Sequence, residues 1–437
     1  TIFDSKPARM IWYCFVAAAS PGQSNKHQKK TDAEQRLGNN FPLCMGRYCR
    51  VIIELDMRVY LDYNATAPLR VEVRDAMMPF LGECWGNPAS LHWYGQKASH
   101  AVETARAEVA ALIGAKPQEI VFTSGGTEAD NLALFGYLEV SKVSRRILVT
   151  TAIEHPAILE AARELEQAGT PVRRMGVDAD GKCRPEEAAC SIGEDVALVS
   201  VMLANNEVGT LQPLSEIAGI ARTRGACVHT DAVQAAGRIF LDVEALGVDM
   251  LSLSAHKIGG PPGIGALYVR KGISIKPRSY GGAQEYGRRA GTLNVAGIVG
   301  FGRACALAKN ELEQAGSRMA ALRDRLERLI LEQVAGTYRN GHVLERLPNT
   351  LSLGFEGVDG ASLAMMLDVI GVAASNGSAC SSGTGKPSHV LTAMGLDQEG
   401  AAGSLRFSLG METTREEIDF TIGAVAEAVR SLREARS

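Results

Sequence analysis

The chain has 437 residues, more than a single hydrophobic core usually spans, so two packed domains are expected. Apolar residues make up 46% and charged residues 22%, with a formal net charge of −3, a balance that favours neither nucleic acid nor an acidic membrane surface as a partner. No apolar run reaches bilayer-spanning length, and nine cysteines at scattered positions read as free thiols of a reducing, cytoplasmic compartment. Cys44 and Cys49 are neighbours, but no second pair stands at zinc-ligand spacing, so no structural zinc site is expected.

Residues 1–56 do not match the rest of the chain. MIWYCFVAAAS, after Lys6 and Arg9, has the outline of a signal peptide, and the polar run SNKHQKKTDAEQR lacks an apolar period. The preferred reading is an upstream stretch translated beyond a natural start at Met57. A targeting segment comes second and an ordered extension third. In any of these the stretch is expected to lie outside the main fold.

From about residue 97 helical and strand patterns alternate. KASHAVETARAEVAALIGA is helical, EIVFTSGG reads as a strand entering a Gly-rich turn, and TEADNLALFGYLEV resumes a helix. RRILVTTAIEH is a strand, and PAILEAARELEQAG opens with Pro at the first helical position and closes on Gly. Further strands follow at PVRRMGV, ALVSVMLA, ACVHTDA, DMLSLSA and IGALYV, several apolar throughout as strands buried on both faces are. This alternation predicts an α/β fold with a mostly parallel central sheet covered by helices. After about 295 long helices dominate, broken by the β-rich NTLSLGFEG and a Gly/Ser-rich loop near 377–387. A large domain over 57–312 and a smaller α+β domain over 313–437 are expected, with the first residues of the large domain joining the small one.

Polar groups gather at the ends of these strands. Ser124-Gly125-Gly126-Thr127 is a strand-to-helix turn where backbone N–H groups and the helix dipole favour an anion. In isolation, a plain Gly-rich connection capped by Thr127 is the better reading. SLSAHKIGGPPGIG places Lys257 between a buried strand and a tight turn, where a desolvated amine has lowered proton affinity and can form a Schiff base. Ser254 and His256 flank it and could bind a phosphate. The ordinary alternative is a surface lysine. Asp231, in HTDAVQ at the end of another strand, could keep a pyridine nitrogen protonated or simply cap a helix. Gln234 could donate to the ring oxygen. His155, just after a strand, could stack on a cofactor and move protons, and Asn205 and Asn206 end another strand. In SNGSACSSGTGKPSHV, Cys380 sits among Gly and Ser, where a thiolate can reach out, attack sulfur and carry it. An exposed thiol without function and an iron–sulfur ligand are the alternatives; a permanent cluster would need further cysteines nearby.

SGGTEADN, EHPAI, NNEVGT, HTDAVQ, SAHKIGGPPGIGALYV, RRAGTLN, SNGSACSSG and LRFSLG occur in the order found in cysteine desulfurases. From about residue 58 to near the C-terminus the chain resembles the iron–sulfur-cluster and nitrogen-fixation branch of that family. The resemblance implies a homodimeric fold-type-I pyridoxal-phosphate transferase with no resident metal, Cys380 being at most a transient iron–sulfur ligand. It implies that Lys257 carries the cofactor, Asp231 pairs with the ring nitrogen, His155 stacks on the ring and Gln234 contacts its oxygen. Gly126, Thr127, Ser254 and His256 would hold the phosphate, and Thr292 would reach that of the other subunit. Asn206 and Arg406 would bind L-cysteine, Arg406 as a fork on its carboxylate. Sulfur would leave as a persulfide on Cys380, bound for an iron–sulfur scaffold or another acceptor protein. The family's Gly-Pro-Lys-Gly is here Gly260-Pro261-Pro262-Gly263, and Ala67 replaces a Thr in the opening motif; neither position would do chemistry. A selenocysteine lyase or another class V aminotransferase is the nearest rival. A non-catalytic scaffold-binding protein is a more distant one.

Overall fold

A computed structural model of the chain describes residues 57–141, 145–376 and 387–436. The expectations for residues 1–56 and for Cys380 fall outside these. The first strand, β1 (Val59–Tyr60), pairs far along the chain. The next seven are β2 (Ile120–Thr123), β3 (Ile147–Thr151), β4 (Val172–Met175), β5 (Val196–Ser200), β6 (Cys227–Asp231), β7 (Met250–Ser254) and β8 (Gly265–Val269). They form one sheet in the order β2-β8-β7-β6-β5-β3-β4. Neighbours from β4 across to β7 run parallel, while β8 is antiparallel to both β7 and β2. Every apolar run read as a strand in this half is one.

The two faces follow from the period-2 alternation of strand side chains. Phe122, Val199, Val228, Leu251 and Tyr268 enter one core, shared with the helix Trp93–Leu112. Val121, Leu198, Cys227, Met250 and Leu267 enter the other, shared with the helices Gly126–Val140 and Pro156–Gln167. The helix expected from residue 97 starts earlier, because the backbone N–H of Gly95 donates to His92 Nδ1 at 3.3 Å and caps it. It ends before Gly114, which takes a left-handed φ of 69°.

The helix Val295–Gln333 continues through 312–313 and contributes residues to two cores. Beyond it, β9 (Thr337–Asn340), β10 (Thr350–Phe355) and β12 (Ser404–Ser408) form an antiparallel sheet in the order β12-β10-β9, and β11 (Val372–Ala373) pairs in parallel with β1. Of these, only β10 is among the strands read from the sequence, although β12, SLRFS, does alternate polar and apolar residues. The helix Arg415–Glu434, closed at its start by a Thr414/Glu417 capping box, covers this sheet together with Val59 and Leu61. No described helix is long and apolar enough to cross a membrane.

Candidate active site

The parallel strands and β2 all point their C-terminal ends at one edge, where open α/β sheets bind ligands. Two of those ends are brought together by β8. Its first residue, Gly265, pairs with Thr123 at the end of β2 and with Ser254 at the end of β7. A Cβ on Gly265 would stand 2.7 Å from Gly125 Cα and 2.5 Å from Leu253 O, so glycine alone permits this approach. The Ser124–Thr127 turn thereby lies beside the Lys257 segment. Gly126 is equally close to the β6 end: an added Cβ would come within 2.8 Å of Val233 Cγ2. The turn is held by Glu128, which accepts from Ser124 N at 2.7 Å and pairs with Arg289 Nε at 2.8 Å. Arg289 belongs to the segment that carries Thr292, which is exposed. Thr127 is also exposed, within the first turn of its helix, where backbone N–H groups lack intrahelical partners.

Lys257 closes a 3₁₀ turn directly after β7, and its Nζ donates to Asn64 O at 2.6 Å and Ala65 O at 2.7 Å. His256 Nδ1 lies 3.2 Å from Thr66 Oγ1, and burial lowers its pKa to about 4. Asp231 is buried at the end of β6 and accepts from Val233 N at 2.9 Å. The segment after it is a run of turns, not the helix that the ordinary reading of a capping residue required. Burial raises the Asp231 pKa, against the pull of His155 and Lys257. His155 caps the helix Pro156–Gln167: the Ala157 N–H donates to its Nδ1 at 3.1 Å. That places the neutral ring's proton on Nε2. Its position is set by Glu154, whose buried carboxyl accepts from Thr151 Oγ1 at 2.6 Å and from Met202 N at 3.0 Å. Burial lowers the His155 pKa, Asp231 raises it, and Lys257 and His389 lower it further. Lys257, Asp231 and His155 stand at or just beyond the ends of β7, β6 and β3, at the same sheet edge.

Arg406 comes from β12, across the cleft. Its Nη1 donates to Asn206 O at 3.0 Å and its Nη2 pairs with Asp62 at 2.6 Å, while Nε is buried without a partner. The backbone of Arg406 pairs with Ser375, with N–H to O distances of 2.6 and 3.1 Å. Five residues after Ser375 comes Cys380. On the far side of Cys380 in the chain, Ser388 donates to the buried Glu207 at 2.6 Å, next to Asn206. Gln234 donates from Nε2 to Asn64 O at 3.0 Å and accepts at Oε1 from Arg238.

Asn64 was not anticipated. Its side chain donates to Asn206 O at 3.1 Å and Thr350 Oγ1 at 2.9 Å and accepts from Asn349, while its backbone O receives Lys257 and Gln234. The signal lay in the opening motif DYNATAP, a polar stretch directly after an apolar strand. A second unanticipated group sits behind Asp231. His229 lies 2.9 Å from both Ser200 Oγ and Ser252 Oγ and 3.6 Å from Asp130, whose Oδ1 is buried without a hydrogen bond. Among the described residues no cluster of His, Cys, Asp and Glu could hold a metal ion.

The comparisons with known proteins agree with this arrangement. The family model described as "Aminotransferase class-V" matches residues 59–420. "Cysteine desulfurase IscS" of Dictyoglomus turgidum is 45% identical over 375 residues, covering 86% of this chain and 95% of the relative. The protein of the same name from Methanosarcina thermophila is 46% identical over 375 residues, covering 86% and 93%. Among solved structures, a "NIFS-LIKE PROTEIN" superposes with a TM-score of 0.81 at 40% identity, covering 86% of this chain and 100% of the other. "SspA in complex with cysteine" superposes with a TM-score of 0.72 at 33% identity, covering 82% and 100%. With the family model matched over most of its length and relatives at this identity, the chain belongs to the class-V aminotransferases and, among them, to the cysteine desulfurases.

Proposed function

We propose that the site removes sulfur from free L-cysteine, releases L-alanine and leaves the sulfur as a persulfide on Cys380, using pyridoxal 5′-phosphate held on Lys257. The observation that carries this reading is the convergence of Lys257, Asp231 and His155 at one sheet edge beside the Gly126 turn. The donor set suits a phosphorylated pyridine aldehyde: an amine to bond the aldehyde, a buried carboxyl for the ring nitrogen, and a helix N-terminus with hydroxyls for the phosphate. Gly126, Thr127, Ser254 and His256 would hold the phosphate, Thr292 that of a second subunit, and Gln234 the ring oxygen. When bound, the cofactor supplies an electron sink for the substrate Cα.

The chain's own residues then have separable tasks. Arg406 and Asn206 bind the amino acid, the guanidinium fork taking its carboxylate. Lys257 moves the proton at Cα. Asp231 keeps a proton on the ring nitrogen, and the cation so formed offsets the burial of its carboxylate. His155, neutral and carrying its proton on Nε2, donates to the substrate sulfur. The Cys380 thiolate forms an S–S bond to the substrate sulfur as the C–S bond breaks. Cysteine plus thiol becomes alanine plus persulfide, so atoms and electrons balance without an outside oxidant. Ser375, five residues before Cys380 in the chain, is tied to Arg406 itself.

The same chemistry supports sulfur transfer to an iron–sulfur scaffold or another acceptor protein, by thiolate attack on the persulfide. The test is mass spectrometry after brief exposure to cysteine. One added sulfur on Cys380 and stoichiometric alanine are expected. Cys380→Ala should retain the visible cofactor band yet release no sulfur, and Lys257→Ala should lose the chemistry altogether. Normal sulfur release by Cys380→Ala would remove that residue from the reaction.

A further inference from the structure

Arg238 is a buried cation whose partners are all neutral. It is 7% exposed. It donates to Gln234 O at 3.1 Å, to Gln234 Oε1, and to Tyr63 O at 3.3 Å. Among the described residues no carboxylate lies within ion-pair distance of it. Burial and the nearby Arg406 lower its pKa to about 9, so it remains charged at neutral pH. A buried charge without a counter-ion is unfavourable for folding, and its place in the fold suggests what offsets that cost. Arg238 lies four residues beyond Gln234 in a run of turns, on the wall of a 520 Å³ cavity that reaches Lys257 from the side of Tyr63. The other charged groups on that wall are Arg318, Glu412 and the Arg70–Glu311 ion pair.

The bonding at Gln234 permits one orientation of the amide. A guanidinium only donates, and the carbonyl of Asn64 only accepts. Arg238 must therefore face Oε1, and Nε2 must face Asn64 O, where it sits at 3.0 Å. Flipping the amide would set donor against donor and acceptor against acceptor. One Nε2 hydrogen goes to Asn64 and the other is left for a ligand oxygen. Asn64 O is also the acceptor of Lys257 Nζ, so the four residues Arg238, Gln234, Asn64 and Lys257 form a single chain of bonds from guanidinium to reactive amine.

We propose that Arg238 is a positioning residue of the cofactor site: it locks the Gln234 amide with its N–H groups toward the cofactor oxygen and places a fixed positive charge behind the Lys257 nitrogen. This rests on the cofactor reading above and deepens it. A fixed positive charge disfavours a further proton on that nitrogen and favours a negative ring oxygen. Both effects lower the pKa at which the cofactor's visible band changes on Lys257.

The experiment is a pH titration of the visible band in protein loaded with pyridoxal phosphate, together with the rate of cofactor loss on dilution. Arg238→Met keeps the bulk and removes the charge and the donors. Its band should titrate about one pH unit higher, a tenfold gain in proton affinity, and cofactor should leave faster. Arg238→Lys keeps the charge but lacks the fork. It should titrate near the unmutated protein while still losing cofactor faster, and it remains informative if Arg238→Met does not fold. Unchanged titration and unchanged cofactor loss in whichever variants fold, with only thermal stability lowered, would reduce Arg238 to a structural role and overturn the proposal. Absence of any visible band in the unmutated protein would instead overturn the cofactor reading, and this inference with it.

Discussion

His155 caps a helix, and the cap constrains the acid–base role proposed for it. A backbone N–H donating to Nδ1 stabilises the neutral ring, as burial also does. The imidazole is thus held below its ordinary value of 6.5, with Asp231 opposing and Lys257 and His389 reinforcing the shift. In the neutral form Nε2–H can donate to the substrate sulfur, whereas a proton on Nδ1 would be set against the Ala157 N–H that this nitrogen accepts. Activity should therefore persist as pH falls past the ordinary imidazole range and be lost only as pH drops through the lowered pKa. The pH profile of kcat/KM checks this: its acid limb should lie below 6.5. His155→Gln should cost roughly 10²–10⁴-fold in rate and flatten that limb. A limb above the ordinary value would argue that another group donates to the sulfur.

Among the elements, the segment before Thr292 has the most unusual backbone. Glu285 and Tyr286 both adopt left-handed conformations, with φ of 48° and 58°, which non-glycine residues rarely do. The compensation is a buried ion pair. Arg106 grips Glu285 with two bonds of 2.8 and 2.7 Å, and Phe122 N donates to the same carboxylate at 2.7 Å. The guanidinium is itself sandwiched near the rings of Phe122 and Tyr286. This pair ties the segment to β2, the strand that delivers the Gly126 turn. Glu285→Gln leaves the buried Arg106 guanidinium with only the exposed Glu103 as counter-ion and should destabilise the protein by about 3 kcal/mol, read from denaturant unfolding. Cofactor should also dissociate faster, because the Arg289–Glu128 pair that holds the turn depends on the same anchor.

At the scale of the whole molecule, the large sheet and the C-terminal sheet meet through Asn64. Its side chain bonds to Asn206, Thr350 and Asn349, its backbone N to Ser408 Oγ at 2.9 Å, and its backbone O to Lys257 and Gln234. The Asp62–Arg406 pair runs parallel to it two residues earlier. One short loop thus sets the relation between the amine on β7's end and the guanidinium on β12. Asn64→Ala should leave buried partners unsatisfied, at roughly 1–3 kcal/mol each. The measurement that separates alignment from stability is kcat/KM at a temperature well below unfolding. It should fall more than tenfold while the cofactor spectrum persists. A loss of stability without loss of kcat/KM would show that alignment does not depend on this residue.

Strand positions were legible in the amino-acid order because β5 through β8 are buried on both faces, and continuous apolar runs of that length have few other uses. The polar residues ending those runs were legible for the same reason: Asp231, Ser254 and His155 interrupt apolar patterns at the edge where ligands bind. Hydrophobic periodicity reports only whether a residue faces a core, so it could not pair distant segments. That Gly265 sits between β2 and β7, that Arg238 stands behind Gln234, and that Asn64 joins two sheets depends on hydrogen bonds between residues up to 344 positions apart. Such bonds have no local signature, because a polar side chain reads the same whether its partner is water or a distant strand. Folding alone decides which.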